Sequence, residues 1–161
     1  MSGKITFEEI SMADNQELKR IIQESLLEYG NNLPNSTYYD PALNDLFSFY
    51  KNIENSKYFV VKEGKKVLGG GGYAPFEKQG VAEIQKLYLT NDSRGKGVGK
   101  KLLTLIENEA KKAGYQKLYI ETISNLKEAI GLYRHMGYDE IEKPLAPQSH
   151  NACDVLMIKK I

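Results

Sequence analysis

The sequence has few of the residues that form disulfides or metal sites. Its single cysteine, Cys153, cannot form a disulfide within the chain. A chain without internal disulfides is typical of a reducing compartment, so we expect a cytoplasmic protein. One cysteine and the two histidines, His135 and His150, are too few for the usual ligand sets of structural zinc. We therefore expect no metal site.

Strong charge of one sign and long apolar runs are also absent. The formal net charge is +1, which gives the chain as a whole no electrostatic attraction to nucleic acid or membranes. No apolar run approaches the roughly 20 residues of a transmembrane helix, and residues 1–10 lack the pattern of a signal peptide. The 161 residues are 41% apolar and 27% charged, which is typical of one globular domain, residues 1–161, with a sizeable core.

The hydrophobic pattern alternates along the chain between strand-like and helix-like periodicity. It predicts strands at residues 5–9, 58–61, 67–73, 81–89, 118–122, 138–141 and 155–161. It predicts helices at residues 14–29, 41–50, 98–113 and 125–136, with Asp14 and Asn125 as N-terminal caps. A hairpin followed by strand, helix, strand and helix indicates a mixed sheet. The fold class is therefore α/β (α+β), with a central sheet of about six to seven strands flanked by four helices.

A glycine-rich turn, residues 91–97, joins the strand at 81–89 to the following helix. The first amides of a helix have no partners within it and the helix dipole is positive there, so this turn predicts an anion site. A P-loop would need glycine at Arg94 and serine or threonine at Lys101. A dinucleotide fingerprint that starts at Gly95 fails at its last position. A second fingerprint match, residues 69–74, lacks the helix pattern that should follow it, and we interpret it as accidental.

The turn fits a different pattern, Arg-x-x-Gly-x-Gly, at Arg94, Gly97 and Gly99. Here the chain resembles the GNAT superfamily of N-acetyltransferases, whose acetyl-CoA motif is Gln/Arg-x-x-Gly-x-Gly/Ala. Downstream, the family pattern Asn-x3-Ala-x2-Leu-Tyr-x3-Gly-Phe/Tyr is matched at Asn125, Ala129, Leu132, Tyr133, Gly137 and Tyr138. The resemblance covers about residues 58–141. It implies a single GNAT-like domain and an enzyme that moves an acetyl group from acetyl-CoA directly to a primary amine of a small molecule or peptide in a ternary complex.

The resemblance also implies which residues bind acetyl-CoA. Backbone amides of residues 95–100 would hold the pyrophosphate, and the backbone of Leu87 and Leu89 would pair with the pantetheine arm like an added strand. The neighbouring parallel strands at 81–89 and 118–122 would splay apart to admit that arm. The implied acetyl-CoA-binding residues are Leu87, Tyr88, Leu89, Arg94, Gly95, Lys96, Gly97, Val98, Gly99, Lys100, Asn125 and Tyr133.

Acetyl transfer to an amine needs a base, donors to the oxyanion, and stabilisation of the departing thiolate. The resemblance implies Glu83 as the base, although a glutamate here could instead only order water, contact substrate or form a surface pair. It implies the Leu87 amide as the oxyanion donor. Tyr133 is the candidate acid because it shares one helix face with Asn125 and Ala129. The alternative for Tyr133 is an ordinary half-buried aromatic residue.

The acceptor is the least defined part of the predicted site. By resemblance, it binds between the first two helices with their connection and the loop between the last two strands. Candidate contacts are Tyr29, Tyr38, Tyr39, Glu83 and His150, since aromatic rings and carboxylates suit an organic cation. A polyamine, an aminoglycoside-like compound, an amino acid and a protein lysine or N-terminus all stay open. Dimers are common in the family, but no residue here indicates an interface for a homodimer.

Two alternatives to direct transfer are also compatible with the sequence. Cys153, with His150 nearby, could accept the acyl group covalently, although a free cysteine is more often a small buried apolar residue. The chain could also be a non-catalytic acyl-CoA-binding or sensing module of the same fold. Glu83 and Tyr133 favour an enzyme, because a binding module needs neither of them.

Overall fold

The computed structural model describes residues 3–147 and 152–161, and its centre is one sheet. The strands are β1 Ile5–Glu9, β2 Lys57–Glu63, β3 Lys66–Pro75, β4 Val81–Leu89, β5 Lys117–Thr122, β6 Asp139–Ile141 and β7 Val155–Lys160. In space they follow the order β1-β2-β3-β4-β5-β7-β6. β4 and β5 run parallel, and the other neighbouring strands run antiparallel. The predicted mixed sheet is therefore confirmed.

Helices cover both faces of the sheet. They are α1 Asn15–Glu28, α2 Leu46–Lys51, α3 Val98–Lys112 and α4 Lys127–His135, with short 3-10 helices at Met12–Asp14, Thr37–Tyr39, Pro41–Asn44 and Asn91–Ser93. Alternate residues of a strand point to opposite faces. Tyr58 and Val60 of β2 therefore pack with α1 and α2, whereas Phe59 and Val61 pack with α3 and α4. The observed order of elements agrees with the predicted α/β fold.

Asp14 directly precedes α1 as predicted, but neither Asp14 nor Asn125 caps the following helix with its side chain. Asp14 precedes α1 without a side-chain bond to it. Its carboxylate accepts a hydrogen bond from the Ser11 amide at 2.9 Å, which closes the preceding short helix instead. α4 begins two residues after Asn125, and the Asn125 amide exchanges hydrogen bonds with Asn31 at 2.8 and 3.0 Å. Asp14 thus occupies the predicted N-cap position of α1 without the side-chain bond, whereas Asn125 holds a connection in place and does not start α4.

β3 contains four consecutive buried glycines, residues 69–72. A Cβ atom added at Gly70 would lie 2.7 Å from Cε1 of Tyr58. One added at Gly72 would lie 2.3 Å from the Lys57 carbonyl oxygen and 2.9 Å from Cδ2 of Tyr58. The glycines are therefore needed for β2 and its tyrosine to pack this close. The segment continues into β4 and not into a helix, which agrees with the interpretation of the fingerprint match as accidental.

Residues 3–147 and 152–161 contain neither a membrane-spanning helix nor a cluster of metal-binding side chains. No helix in those ranges is both long and apolar enough to cross a membrane. The same residues contain no group of three or more His, Cys, Asp or Glu side chains that could hold a metal ion.

Candidate active site

Strands β4 and β5 separate along their length. Within the described residues they pair only over residues 81–83 of β4 and 117–119 of β5, although β4 continues to Leu89 and β5 to Thr122. Between the diverging ends lies a cavity of about 420 Å³. Beyond the paired residues, the β4 backbone is therefore open on its β5 side to an added extended chain. The structure contains the splayed strand pair that the resemblance implied.

A β-bulge interrupts β4 in the cavity wall. Lys86 and Leu87 stand opposite Gly71 alone. Lys86 has a φ of +51°, a left-handed conformation that is uncommon for residues other than glycine. The Tyr58 hydroxyl donates a hydrogen bond to the Lys86 carbonyl at 2.7 Å, and Lys86 Nζ lies 3.0 Å from Oδ2 of Asp40. These two contacts hold the bulge in place.

Three residues that were predicted to bind the cofactor lie at and directly after the bulge. Leu87, Tyr88 and Leu89 all line the cavity. Leu87 and Leu89 also pack with the apolar side chains on the α3 side of the sheet, whereas Tyr88 packs on the α1 side. One short segment therefore contributes to both apolar clusters and to the cavity wall.

The start of α3 fits an anion. Gly95 and Gly97 have φ values of +77° and +69°, which glycine adopts without steric cost. Gly97 is the N-cap, and no side chain of the described residues caps the helix there. A Cβ atom added at either glycine would meet nothing within 4 Å, and both glycines line the cavity. The first amides of α3 can therefore receive a phosphate group from the cavity.

Gly99 has a different role from Gly97. A Cβ atom at Gly99 would lie 3.1 Å from Cδ2 of Leu132 and 3.5 Å from Cδ1 of Leu89. Glycine at this position lets α3 approach both α4 and β4 closely. The Arg-x-x-Gly-x-Gly pattern thus combines one glycine for backbone conformation with one for packing.

The basic side chains of the turn are only partly directed to the cavity. Arg94 and Lys100 line it, and Lys96 does not. Arg94 Nε lies 2.7 Å from Oε2 of Glu128, and Lys96 Nζ lies 3.0 Å from Oε2 of Glu63. Exposed ion pairs contribute little to stability. Arg94 can therefore exchange its carboxylate partner for a phosphate at small cost.

The candidate base and the candidate acid line the same cavity. Gln85 Nε2 donates a hydrogen bond to Oε1 of Glu83 at 2.8 Å, which holds the carboxylate. Tyr133 of α4 is 4% exposed, and burial raises the pKa of its hydroxyl well above the ordinary value. The Tyr133 hydroxyl therefore stays protonated at neutral pH and can act as a donor.

Besides Glu83, the cavity wall contains three carboxylates that the sequence did not predict, Glu28, Glu121 and Glu128. Glu121 of β5 lines the cavity and accepts a hydrogen bond from the Tyr119 hydroxyl, 2.9 Å from Oε2. Tyr119 pairs with Glu83 across the parallel strands. Because residues i and i+2 of a strand share a face, the spacing of Tyr119 and Glu121 is the signal that could have indicated this residue.

Cys153 also lies in the cavity wall. Burial, and then the nearby carboxylates of Glu121 and Glu83, raise the pKa of its thiol to about 12. A thiol with this pKa is protonated at neutral pH and is a weak nucleophile. The surroundings of Cys153 therefore argue against covalent transfer through this residue.

Alkylation with iodoacetamide tests this environment. Between about pH 7 and 9.5 we expect the labelling rate to rise about tenfold per pH unit, because the thiolate fraction keeps increasing below the pKa. Intact mass measures the rate, and Cys153 is the chain's single cysteine. A plateau of the rate below about pH 9 would indicate a stabilised thiolate and would restore the covalent alternative.

The residues predicted to contact the acceptor are only partly brought to the cavity. Tyr29 lines it. Tyr38 packs with the apolar side chains of α1 and α2, Tyr39 is 60% exposed, and neither belongs to the cavity wall. Their short helix places Thr37 in the wall instead. His150 lies outside the described residues.

Asn125, predicted at the acetyl-CoA site, is not in the cavity wall either. Besides its two bonds with the buried side chain of Asn31, it donates to the Tyr29 carbonyl at 3.1 Å. It therefore ties the segment after α1 to the start of α4. Asn125 thereby positions the part of the cavity wall that contains Tyr29.

Comparisons with known proteins agree with this geometry. The model of the acetyltransferase (GNAT) family matches residues 18–138. The uncharacterised N-acetyltransferase YjgM of Escherichia coli K12 is 35% identical over 155 residues, which cover 94% of this chain and 92% of that protein.

Solved structures share the fold over nearly the whole chain. A GNAT-family acetyltransferase of Staphylococcus aureus Mu50 superposes with a TM-score of 0.84 at 19% identity, covering 98% of this chain and 99% of that chain. YncA of Salmonella typhimurium, solved with its cofactor acetyl-CoA, superposes with a TM-score of 0.76 at 18% identity, covering 97% and 93%. Because the family model matches most of this chain, the chain belongs to the GNAT family of acetyltransferases.

Proposed function

We propose that the protein transfers an acetyl group from acetyl-CoA directly to a primary amine of a small molecule or peptide. The observation that carries this proposal is the cavity between β4 and β5, which is lined by the glycine start of α3 and also by Glu83 and Tyr133. One cavity thus combines a place for a phosphate-bearing carrier with ionisable groups suited to amine chemistry.

The cavity wall fits acetyl-CoA as the cosubstrate. The first amides of α3 and the side chains of Arg94 and Lys100 suit its pyrophosphate. The open edge of β4 beside Leu87 and Leu89 suits the pantetheine arm, which can pair with backbone as an added strand does. The acetyl-CoA bound to YncA, which shares this fold, supports the same ligand. Acetyl-CoA supplies the acetyl group as a thioester.

Each chemical demand of the transfer has a candidate group on this chain. Glu83, held by Gln85, takes the proton that the acceptor ammonium must lose before it attacks. The Leu87 amide, in the interrupted part of the β3–β4 ladder, donates to the carbonyl oxygen as negative charge develops there. Tyr133, whose hydroxyl stays protonated because its pKa is raised by burial, donates to the departing sulfur.

The charge of the cavity wall favours a cationic acceptor. Its carboxylates are Glu28, Glu83, Glu121 and Glu128. Of its basic side chains, Arg94 is paired with Glu128, Lys86 is paired with Asp40, and Lys100 belongs to the start of α3. The remaining negative charge attracts an amine in its ammonium form and brings it to the base.

Replacing Gly97 by alanine tests the cofactor site. We expect acetyl-CoA binding to weaken by about 10- to 100-fold, because the added Cβ would occupy the open space from which a phosphate approaches the amides. Isothermal titration calorimetry with acetyl-CoA measures the dissociation constant. ATP and NAD are titrated separately into the unmodified protein as alternative ligands.

Gly114, at the other end of α3, provides a matched control. It also has a positive φ, +98°, and an added Cβ would meet nothing within 4 Å. Alanine at either position should lower the free energy of unfolding by about 1–2 kcal/mol, because both glycines have a positive φ. Gly114→Ala should nevertheless leave acetyl-CoA binding unchanged. Binding of ATP or NAD without binding of acetyl-CoA would overturn the proposed function. Equal weakening in both variants would show that strain, not the site, causes the loss.

A further inference from the structure

Three side chains from two elements form a hydrogen-bonded chain that ends at the cavity. The Tyr50 hydroxyl of α2 donates to Oε1 of Gln85 at 2.9 Å. Gln85 Nε2 in turn donates to Oε1 of Glu83 at 2.8 Å. Gln85 and Glu83 share one face of β4 because they are two residues apart. Tyr50 does not line the cavity, whereas Gln85 and Glu83 do.

Tyr50 is itself held firmly. It is 4% exposed and stacks on Tyr58 with ring centroids 5.1 Å apart, while Phe49 contacts it edge-on at 5.0 Å. Burial raises the pKa of the Tyr50 hydroxyl well above its ordinary value, so the group keeps its proton. The stacked Tyr58 donates to the carbonyl of Lys86. The two tyrosines thus brace two consecutive residues of β4.

The Gln85 amide needs two contacts to stay in its observed position. Its oxygen accepts from Tyr50 and its nitrogen donates to Glu83, so the amide is fixed at both ends. Without the tyrosine hydroxyl, the oxygen would lose its donor in a partly buried place, and a lost partner there costs free energy unless the side chain moves. A chain of such bonds also polarises each member, which strengthens the bond to Glu83.

We propose that Tyr50 is a positioning residue for acetyl transfer: through the Gln85 amide it holds the Glu83 carboxylate toward the acceptor amine. This inference rests on the proposed function, in which Glu83 is the base. Tyr50 does not belong to the cavity wall. Removing its hydroxyl while keeping its ring therefore acts on the site through Gln85 and Glu83, and this distinguishes it from a residue that only stabilises the fold.

A double-mutant cycle tests this coupling. Tyr50→Phe keeps the ring and its stacking and removes only the hydroxyl, so we expect kcat to fall about tenfold with the dissociation constant of acetyl-CoA unchanged. In the Glu83→Gln background the same change should cause no further loss. Turnover is followed as CoA-thiol release with the fastest amine among spermidine, kanamycin, lysine and a peptide with a free N-terminus.

Tyr73→Phe is the matched control, because Tyr73 is also buried but its hydroxyl faces the Glu109 carbonyl of α3 at 3.4 Å. Thermal unfolding of all variants shows whether each is folded. If Tyr50→Phe lowers kcat equally in the unmodified protein and in the Glu83→Gln background, Tyr50 has a structural role and the inference is overturned. Full activity of Glu83→Gln would instead overturn the base assignment of the proposed function.

A spectroscopic titration gives a readout that needs no turnover. The carboxyl carbon-13 resonance of Glu83 is followed against pH in the unmodified protein and in Tyr50→Phe. We expect the midpoint to move to higher pH in the variant, because a weakened donor stabilises the carboxylate less. Tyr119 of β5 and Cys153 also lie near Glu83, so the comparison is between variants. An unchanged midpoint would overturn the inference.

Discussion

Glu83→Gln is expected to lower kcat/KM for acetyl transfer by about 10²- to 10⁴-fold at neutral pH, the usual contribution of a positioned general base. Glutamine has the same size and its oxygen can still accept from Gln85, so the local structure should persist. It cannot take a proton from the acceptor ammonium. Steady-state measurement of CoA-thiol release checks the loss, and calorimetry should find acetyl-CoA binding within about twofold of the unmodified protein.

Glu77→Gln is the control for this substitution, because Glu77 is exposed in the connection from β3 to β4 and does not line the cavity. Part of the activity of Glu83→Gln should return at high pH, where more of the amine is already deprotonated. Undiminished activity of Glu83→Gln at neutral pH would show that Glu83 is not the base and only contacts the substrate. Tight acetyl-CoA binding without turnover of any amine, in the unmodified protein, would favour the non-catalytic acyl-CoA-binding module.

The parts of the site that the sequence predicted are local in the chain. Arg94, Gly97 and Gly99 lie within six residues, and their conformations depend mainly on a turn that leads into a helix. Glu83 and Leu87 share one strand. A motif that is short in sequence can be interpreted from a few residues, because its geometry needs only local backbone rules.

The parts that the sequence did not predict depend on contacts between distant segments. Tyr50 meets Gln85 across 35 positions, and Asn31 meets Asn125 across 94. Hydrophobic periodicity places each residue on a face of its own element, but it does not say which polar group of another element lies opposite. This is why the contacts of α2 with Gln85 and of the segment after α1 with Asn125 were not predicted from the sequence.

The glycines of β3 show a local rule overridden by packing. Glycine weakens a strand and valine favours one, so local propensity alone would make Gly72→Val stabilising. The structure predicts the opposite, because Cβ at this position would lie 2.3 Å from the Lys57 carbonyl oxygen. We expect the free energy of unfolding to fall by roughly 3 kcal/mol or more, at the upper end of overpacking effects. Urea denaturation followed by circular dichroism measures it.

Gly131→Ala separates this steric cost from the general effect of replacing glycine. Gly131 lies in α4, and an added Cβ would meet nothing within 4 Å. Alanine there should raise the free energy of unfolding by about 0.5–1 kcal/mol, because it restricts the unfolded chain and favours the helix. Opposite signs in the two variants would show that β3 is glycine-rich so that the Tyr58 ring can lie against it. Equal signs would contradict this explanation. The same ring supports the Lys86 carbonyl at the bulge, so Gly72→Val should also weaken acetyl transfer where the protein remains folded.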